Sequence, residues 1–196
     1  MMDSVLITGG NGFIGRSLID HLIRETDFNI VSMQRRQIDC PTVEKDRVKI
    51  VYHDLANPFS KKLCDEIGEV EYIIHLAGRS TFEKGSPSNF MIDNVTGTMN
   101  LMEYSMKKKK IEKILYLSTA EVFGPSNPEH VFTEDDIKNP SSAYATTKVI
   151  AEDICRLYSS GCGVPALTAY AMNTFGPLQS PDKYIPLLID KVGKGE

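Results

Sequence analysis

Hydrophobic positions along this chain alternate between short continuous runs and stretches with a helical spacing. Short runs rich in aliphatic and β-branched residues occur at 4–8, 29–33, 48–53, 71–77, 111–118 and 166–171, each of strand length. Between them apolar positions recur every three or four residues, as at Phe13, Ile14, Leu18 and Leu22. That spacing predicts helices over 13–25, 60–67, 89–108 and 143–159, with a further helix-like run at 184–192. Strand and helix in alternation imply right-handed crossovers, and hence an α/β fold with a doubly wound parallel sheet covered on both faces. Open sheets of this kind bind ligands beyond the carboxyl ends of their strands. The Pro-, Asn- and Ser-rich loops 124–128 and 178–183 follow strand ends and fall there. No repeat of 20 to 50 residues and no low-complexity linker interrupts the pattern.

The first strand run leads into Thr8-Gly9-Gly10-Asn11-Gly12-Phe13-Ile14-Gly15 and then into a helical pattern. Gly10, Gly12 and Gly15 have the spacing and the strand–turn–helix context of a dinucleotide-binding turn. In that reading the first glycine permits a tight turn and the second lets the backbone approach a pyrophosphate. The third lets the helix lie close to its strand, with the free N–H groups of the helix start facing the phosphates.

Composition narrows the function classes. With 196 residues, 41% hydrophobic and 24% charged, the chain can bury about 70% of its unfolded surface around one core. A formal charge of −4 argues against binding a nucleic-acid backbone. The local basic run Lys107 to Lys110 reads as the solvated carboxyl end of a helix. Cys40, Cys64, Cys155 and Cys162 form no C-x-x-C and no metal-like pairing with the four histidines, so no metal site is expected. The same usage suits a reduced cytoplasmic protein, and no signal-like segment or 18-residue apolar span points to export or a membrane.

The candidate chemistry lies downstream. In Ser141-Ser-Ala-Tyr-Ala-Thr-Thr-Lys148, Tyr144 and Lys148 stand four residues apart and share a helix face. A phenol titrates near pH 10, about three units above neutrality, and an ammonium one turn away is expected to lower that value. Ser118 and Thr119 place hydroxyls at the end of the 111–118 strand, where they would point into the crevice.

These segments fall in order with His53-Asp54-Leu55, His75-Leu76-Ala77-Gly78, Asn94-Val95-Thr96-Gly97-Thr98, Ser118-Thr119-Ala120-Glu121-Val122-Phe123-Gly124 and Asn173-Thr174-Phe175-Gly176-Pro177. Over essentially its whole length the chain resembles the extended short-chain dehydrogenases/reductases of the nucleotide-sugar epimerase/dehydratase type. The resemblance implies a Rossmann fold and hydride transfer at a sugar carbinol or ketone, with Thr119, Tyr144 and Lys148 as the catalytic group. It implies a cofactor site of Gly9, Gly10, Gly12, Phe13, Ile14, Gly15, Asp54 and Leu55 at the adenine, Ala77, Gly78, Asn94 and Ser118, with Tyr144 and Lys148 near the nicotinamide ribose. Ser80, Thr119, Glu121 and Asn173 are carried over as substrate contacts.

Where NAD enzymes of this kind carry an acid about 20 residues past the last glycine, this sequence reads Ser32-Met33-Gln34-Arg35-Arg36. An arginine there can pair with a 2′-phosphate, which favours NADP over NAD, with Arg35 as first choice and Arg36 as second. Three departures from the family pattern stand out. Ala120 replaces the aspartate of the 4,6-dehydratases, which makes dehydration a weaker expectation. Phe123 replaces a tyrosine, and Tyr170 stands where an arginine is common.

Residues 1–171 are expected to form the NAD(P)-binding domain and 172–196 the start of a substrate-binding region that is largely missing, the chain being either a natural short form or a piece of a longer protein. Poor turnover of sugar nucleotide would follow. A carbonyl reductase of the same fold and a non-catalytic NADP-binding sensor are the alternatives. A homodimer is expected through the helices 89–108 and 143–159, with Met91, Leu101, Met102 and Met106 supplying apolar contact.

Overall fold

The computed structural model describes residues 2–36, 46–80, 86–126 and 128–195; Cys40 and Asn127 lie outside them. Six parallel strands form one sheet in the order β3-β2-β1-β4-β5-β6. They are β1 (Ser4–Thr8), β2 (Asn29–Gln34), β3 (Val48–Tyr52), β4 (Tyr72–His75), β5 (Lys113–Thr119) and β6 (Ala166–Ala171). The chain winds outward from β1 to one edge, returns to β4 beside β1 and winds to the other edge, so strand order reverses between β1 and β4. A crevice at the carboxyl ends of these two strands is the place where such sheets bind ligands.

The sheet's two faces explain why the strand runs are almost continuously apolar. On β1, Val5 and Ile7 turn to one side, where they pack with Ile30 and with Ile19 of helix α1 (Phe13–Glu25). Leu6 turns to the other side and joins Val31, Met33, Val51, Ile73 and Ile114 of the sheet. That face is covered by α2 (Lys61–Ile67), α4 (Gly97–Met106) and α5 (Ala143–Cys162). The register sets Leu6 beside Val31 and Ile73, so the core runs across strands in a row.

The expected single helix over 89–108 is three consecutive pieces: α3 (Pro87–Phe90), a π-helical stretch (Met91–Thr96) and α4. The wider π turn, a form often found at functional sites, carries Asp93 and Asn94. The apolar residues proposed for a dimer face divide. Leu101 and Met102 are fully buried in the core because α4 is covered by both the sheet and α5. Met91 and Met106 are exposed, as are Ile92 and Met99. The strand ends also shift. β4 stops at His75, short of Ala77, and β5 extends to Thr119 before a 3₁₀ turn (Ala120–Phe123) that periodicity does not reveal. A last helix, α6 (Tyr184–Lys194), has no buried residue. No helix of the described residues is long and apolar enough to cross a membrane.

His75 ties this core together. Fully buried, it bonds Thr8 Oγ1 through Nδ1 at 2.7 Å and Thr98 Oγ1 through Nε2 at 3.0 Å, joining β1, β4 and α4. Burial, reinforced by the positive charge of Lys148, lowers its pKa to about 3. In the unfolded chain the imidazole takes up a proton below its ordinary pKa of about 6.5, which the folded chain refuses until about pH 3. Stability contributed by neutral His75 is therefore lost progressively as pH falls from 6.5 towards 3. About 2 kcal/mol is expected to be lost from this group alone by pH 5. Urea unfolding at pH 7 and pH 5 measures it, and the pH slope is expected to flatten in His75→Gln.

Candidate active site

The glycine turn is built from close backbone approaches. Gly9 and Gly10 both donate their N–H to Met33 O, at 2.9 and 3.3 Å, which hooks the turn onto the end of β2. Gly9 has φ +72°, and a Cβ there would also lie 2.9 Å from Ala77 N. The tight left-handed position is thus Gly9 and not Gly10, the first glycine of the spaced motif. Gly10 is required because a side chain would collide with Ser32 Oγ. Gly15 lets α1 sit on the turn, since its Cβ would fall inside contact distance of Gly9 O and 2.8 Å from Gly10 Cα. Gly12 differs. Among the described residues its Cβ would meet only Gly9 O, at 3.1 Å, so these residues leave the outer face of the turn open. Gly12 also caps α1 with no side-chain hydrogen bond, which leaves first-turn N–H groups for an anion. An open turn backed by an uncapped helix start fits a pyrophosphate.

Two strands away, β5 and α5 bring the candidate catalytic side chains together. Ser142 caps α5 by accepting from Ala145 N at 3.0 Å, which places Tyr144 in the helix's first turn. Thr119 ends β5 and accepts from Glu121 N at 3.3 Å, and its hydroxyl is near enough to Tyr144 to act on the phenol's pKa. Lys148, 7% exposed, donates from Nζ to Leu117 O at 2.6 Å, and Nζ lies 4.2 Å from the centre of the Tyr116 ring. All three side chains lie at the carboxyl end of β5. The expected lowering of the tyrosine pKa is corrected. Burial raises Tyr144 above its ordinary value, the Thr119 hydroxyl offsets this in part, and the charge of Glu121 adds to it. Lys148 spends its charge on a strand carbonyl, and its own pKa is lowered to about 8, by burial first, against the pull of Glu152.

The adenosine side is more internally engaged than the motifs suggest. Asp54 Oδ1 accepts from Ala56 N at 3.0 Å and Asp54 O from Asn57 N at 2.9 Å, making a turn at the end of β3. Leu55 is buried in the core, and a Cβ on Gly97 would be 3.2 Å from its own, so it packs against protein and not as an open ring platform. Asn94 is buried with its amide spent: Oδ1 accepts from Arg79 N at 2.7 Å, and Nδ2 donates to Arg79 O at 3.2 Å and Thr147 Oγ1 at 3.0 Å. Its part in the structure is a brace between the loop after β4 and α5. A Cβ on Gly78 would come 2.9 Å from that same Oδ1. Arg35 and Arg36 follow β2 and are exposed; Ser80 and Ala77 are half-buried, and Glu121 and Asn173 are exposed at the rim.

A model of the NAD dependent epimerase/dehydratase family matches residues 5–196. The chain belongs to this family. It is 30% identical over 201 residues to the low-salt glycan biosynthesis protein Agl12 of Haloferax volcanii, covering 98% of this chain and 63% of that protein. It is 27% identical over 209 residues to the dTDP-glucose 4,6-dehydratase of Neisseria gonorrhoeae, covering 95% and 59%. The crystal structure of the Bacillus anthracis dTDP-glucose 4,6-dehydratase in complex with NAD superimposes with a TM-score of 0.86 at 25% identity, covering 99% of this chain and 62% of that one. The chain thus spans less than two thirds of the length of each of these relatives.

One element of this epimerase/dehydratase site has no counterpart in the motif reading. Ser118 does not face the crevice with Thr119. Neighbours on a strand point to opposite faces, and Ser118 is buried with its hydroxyl donating to Glu152 Oε1. Tyr170 donates to Glu152 Oε2 at 3.2 Å and accepts from Lys138 Nζ at 2.9 Å. The Lys138 ammonium lies 3.7 Å from the Phe123 ring centre and 4.1 Å from that of Tyr170. The positive charge that an arginine at position 170 would bring is supplied instead by a loop lysine. This network ties the 3₁₀ turn bearing Glu121 to β6 and α5. Glu152 was open to recognition, since Tyr144, Lys148 and Glu152 repeat every four residues on one helix face. Lys138 carried no such signal.

Proposed function

We propose that the chain is the cofactor-binding and catalytic part of an NAD(P)-dependent oxidoreductase of the nucleotide-sugar epimerase/dehydratase type, moving hydride at a sugar carbinol or ketone. The observation that carries the reading is the placement of Thr119, Tyr144 and buried Lys148 together at the end of β5, at the same carboxyl end of the sheet as the glycine turn. A bound nicotinamide supplies or accepts the hydride. The glycine turn and the start of α1 would hold its pyrophosphate. Tyr144, kept protonated at neutral pH by burial, gives its proton to a carbonyl oxygen that Thr119 orients, and takes it back in the reverse direction. Glu121, exposed at the rim, accepts from a substrate hydroxyl. With Ala120 beside it there is no second acid for water elimination, which favours epimerisation or reduction over dehydration.

Arg35 and Arg36 in place of an acid at the end of β2 support NADP over NAD, although the Bacillus anthracis relative was solved with NAD. Residues 1–171 form the cofactor unit and 172–196 begin a substrate-gripping region. The exposed apolar side chains of Met172, Phe175, Leu178, Tyr184 and Ile189 suit a surface that further chain covers. Exposed Met91, Met99 and Met106 suit a homodimer contact. An open site weakens positioning and electrostatic contributions, so turnover by this chain alone is expected to be slow.

Calorimetric titration with NADPH and NADH, followed by a screen of UDP- and dTDP-sugars against simple ketones, tests the reading. The expected result is tighter binding of NADPH and hydride transfer confined to nucleotide-sugars. Absence of dinucleotide binding would overturn it. Turnover of simple ketones alone would favour a carbonyl reductase.

A further inference from the structure

The geometry points to Asp93 as the residue that sets how strongly this site discriminates between dinucleotides with and without a phosphate on the adenosine ribose. The inference rests on the reading of Arg35 as the group that faces that phosphate.

Arg35 follows directly on β2, whose end is bound to the glycine turn through Met33 O. The next residue is tied to the same turn, since Asn11 Nδ2 donates to Arg36 O at 3.3 Å. Arg35 therefore stands beside the turn that faces a pyrophosphate. From the π-helical stretch Asp93 reaches it with one oxygen, Oδ2, which accepts from Arg35 Nη1 at 3.2 Å and from Arg79 Nε and Nη2, both at 2.9 Å. The three side chains are unequally held. Asp93 and Arg79 are each 14% exposed and Arg35 47%. Arg79 is further fixed through its backbone to Asn94 on both sides, N–H and carbonyl. The Arg79–Asp93 half of the cluster is the anchored one, and Arg35 is the member free to swing.

Consider what an arriving ligand meets. Two guanidinium groups and one carboxylate leave a net positive charge, so a phosphate is attracted, and a guanidinium can engage it through two parallel bonds. Arg35 must first leave Asp93. The carboxylate stays behind on Arg79 and then repels the phosphate across the space Arg35 has vacated. A ribose with free hydroxyls brings no charge and leaves the ion pair intact. Asp93 thus lowers affinity selectively for the phosphorylated dinucleotide, and it shields Arg35 when no phosphate is present. It is a carboxylate near the end of β2 that the local sequence lacks, delivered from another element.

The test is titration calorimetry of the chain and its Asp93→Asn, Arg35→Ala and double variants with NADP and NAD, and with the fragments adenosine 2′,5′-bisphosphate and 5′-AMP. Asp93→Asn is expected to tighten binding of NADP and the bisphosphate roughly fivefold, the scale of a half-exposed ion pair, and to leave NAD and 5′-AMP unchanged. Arg35→Ala is expected to weaken only the two phosphorylated ligands, and in that background Asp93→Asn is expected to do nothing. Asp93→Ser, which also removes the charge, is measured in parallel so that a folding defect in one variant does not decide the outcome. If Arg35→Ala weakens NADP but neither Asp93 variant strengthens it, the inference fails while the cofactor reading stands. If Arg35→Ala has no effect on NADP, the reading beneath it fails. Weaker NAD binding by the Asp93 variants would show a direct ribose contact and overturn the gating role.

Discussion

Tyr144→Phe is expected to slow hydride transfer by about 10²–10⁴-fold, the usual contribution of a positioned acid or base, while dinucleotide affinity changes little. The reason is the separation of tasks along α5. Tyr144 lies in the first turn of α5, which Ser142 caps through Ala145 N, and phenylalanine retains its ring. Only the hydroxyl is lost, and the Thr119 side chain is the polar neighbour that acts on its pKa. Thr119 keeps its bond from Glu121 N in the variant, so the 3₁₀ turn stays in place. Thr119→Ala removes the bond from Glu121 N and is expected to disturb the turn as well, whereas Thr119→Ser preserves it. Single-turnover measurement of hydride transfer to a nucleotide-sugar, with cofactor affinity determined separately, distinguishes the two roles. A Tyr144→Phe protein with undiminished single-turnover rate would remove Tyr144 from the chemistry.

Gly15→Ala is expected to cost the fold about 3 kcal/mol or more, the upper range of overpacking, against a total stability on the order of 5–15 kcal/mol. Alanine would ordinarily gain up to about 1 kcal/mol over glycine inside a helix. Here the clash decides the sign. The new methyl falls inside contact distance of Gly9 O, 2.8 Å from Gly10 Cα and 2.9 Å from Gly10 C. None of these can rotate away. They are backbone atoms, and that backbone is fixed by two bonds to Met33 O and by the approach of Gly9 to Ala77 N. Gly12→Ala is the matched control. Its methyl meets one carbonyl at 3.1 Å, so the fold is expected to lose less than about 1 kcal/mol while dinucleotide affinity falls, because the methyl occupies the open face. Urea unfolding of both variants and cofactor titration of Gly12→Ala measure the contrast. Equal stability of Gly15→Ala and the parent chain would refute the close-packing account.

Much of this arrangement could be read along the chain because it depends on neighbours in sequence. The bounds of β1 and α1 match the apolar pattern residue for residue, since the change from a continuous apolar run to a 3.6-residue period across a glycine turn is a local signal. Tyr144 and Lys148 fall on one helix face for the same reason. The strand–helix alternation was enough for a doubly wound sheet, because handed crossovers leave few other ways to bury these runs.

Other assignments needed distant partners. Periodicity marks Leu101, Met102 and Met106 alike as apolar, but only the packing of α4 between sheet and α5 sends the first two inward and leaves the third exposed. Ser118 and Thr119 look equivalent as hydroxyls at a strand end. The strand's pleat gives one to Glu152, 34 residues away, and turns the other to the opposite face. Tyr170 reads as a lost arginine until Lys138 is found 32 residues upstream, bonded to its hydroxyl.

By itself, then, the sequence determined the sheet, the glycine turn and the placing of Tyr144 and Lys148 on one helix face, because hydrogen-bonded ladders, turn sterics and helical spacing are fixed within a few residues. The tertiary structure alone decided which hydroxyl faces the crevice, where Lys148 spends its charge and which acid opposes Arg35. Those outcomes depend on burial and on charges brought together across 30 to 60 residues of chain, as with Arg35 and Asp93, 58 residues apart. No local pattern encodes the low-dielectric surroundings that settle them.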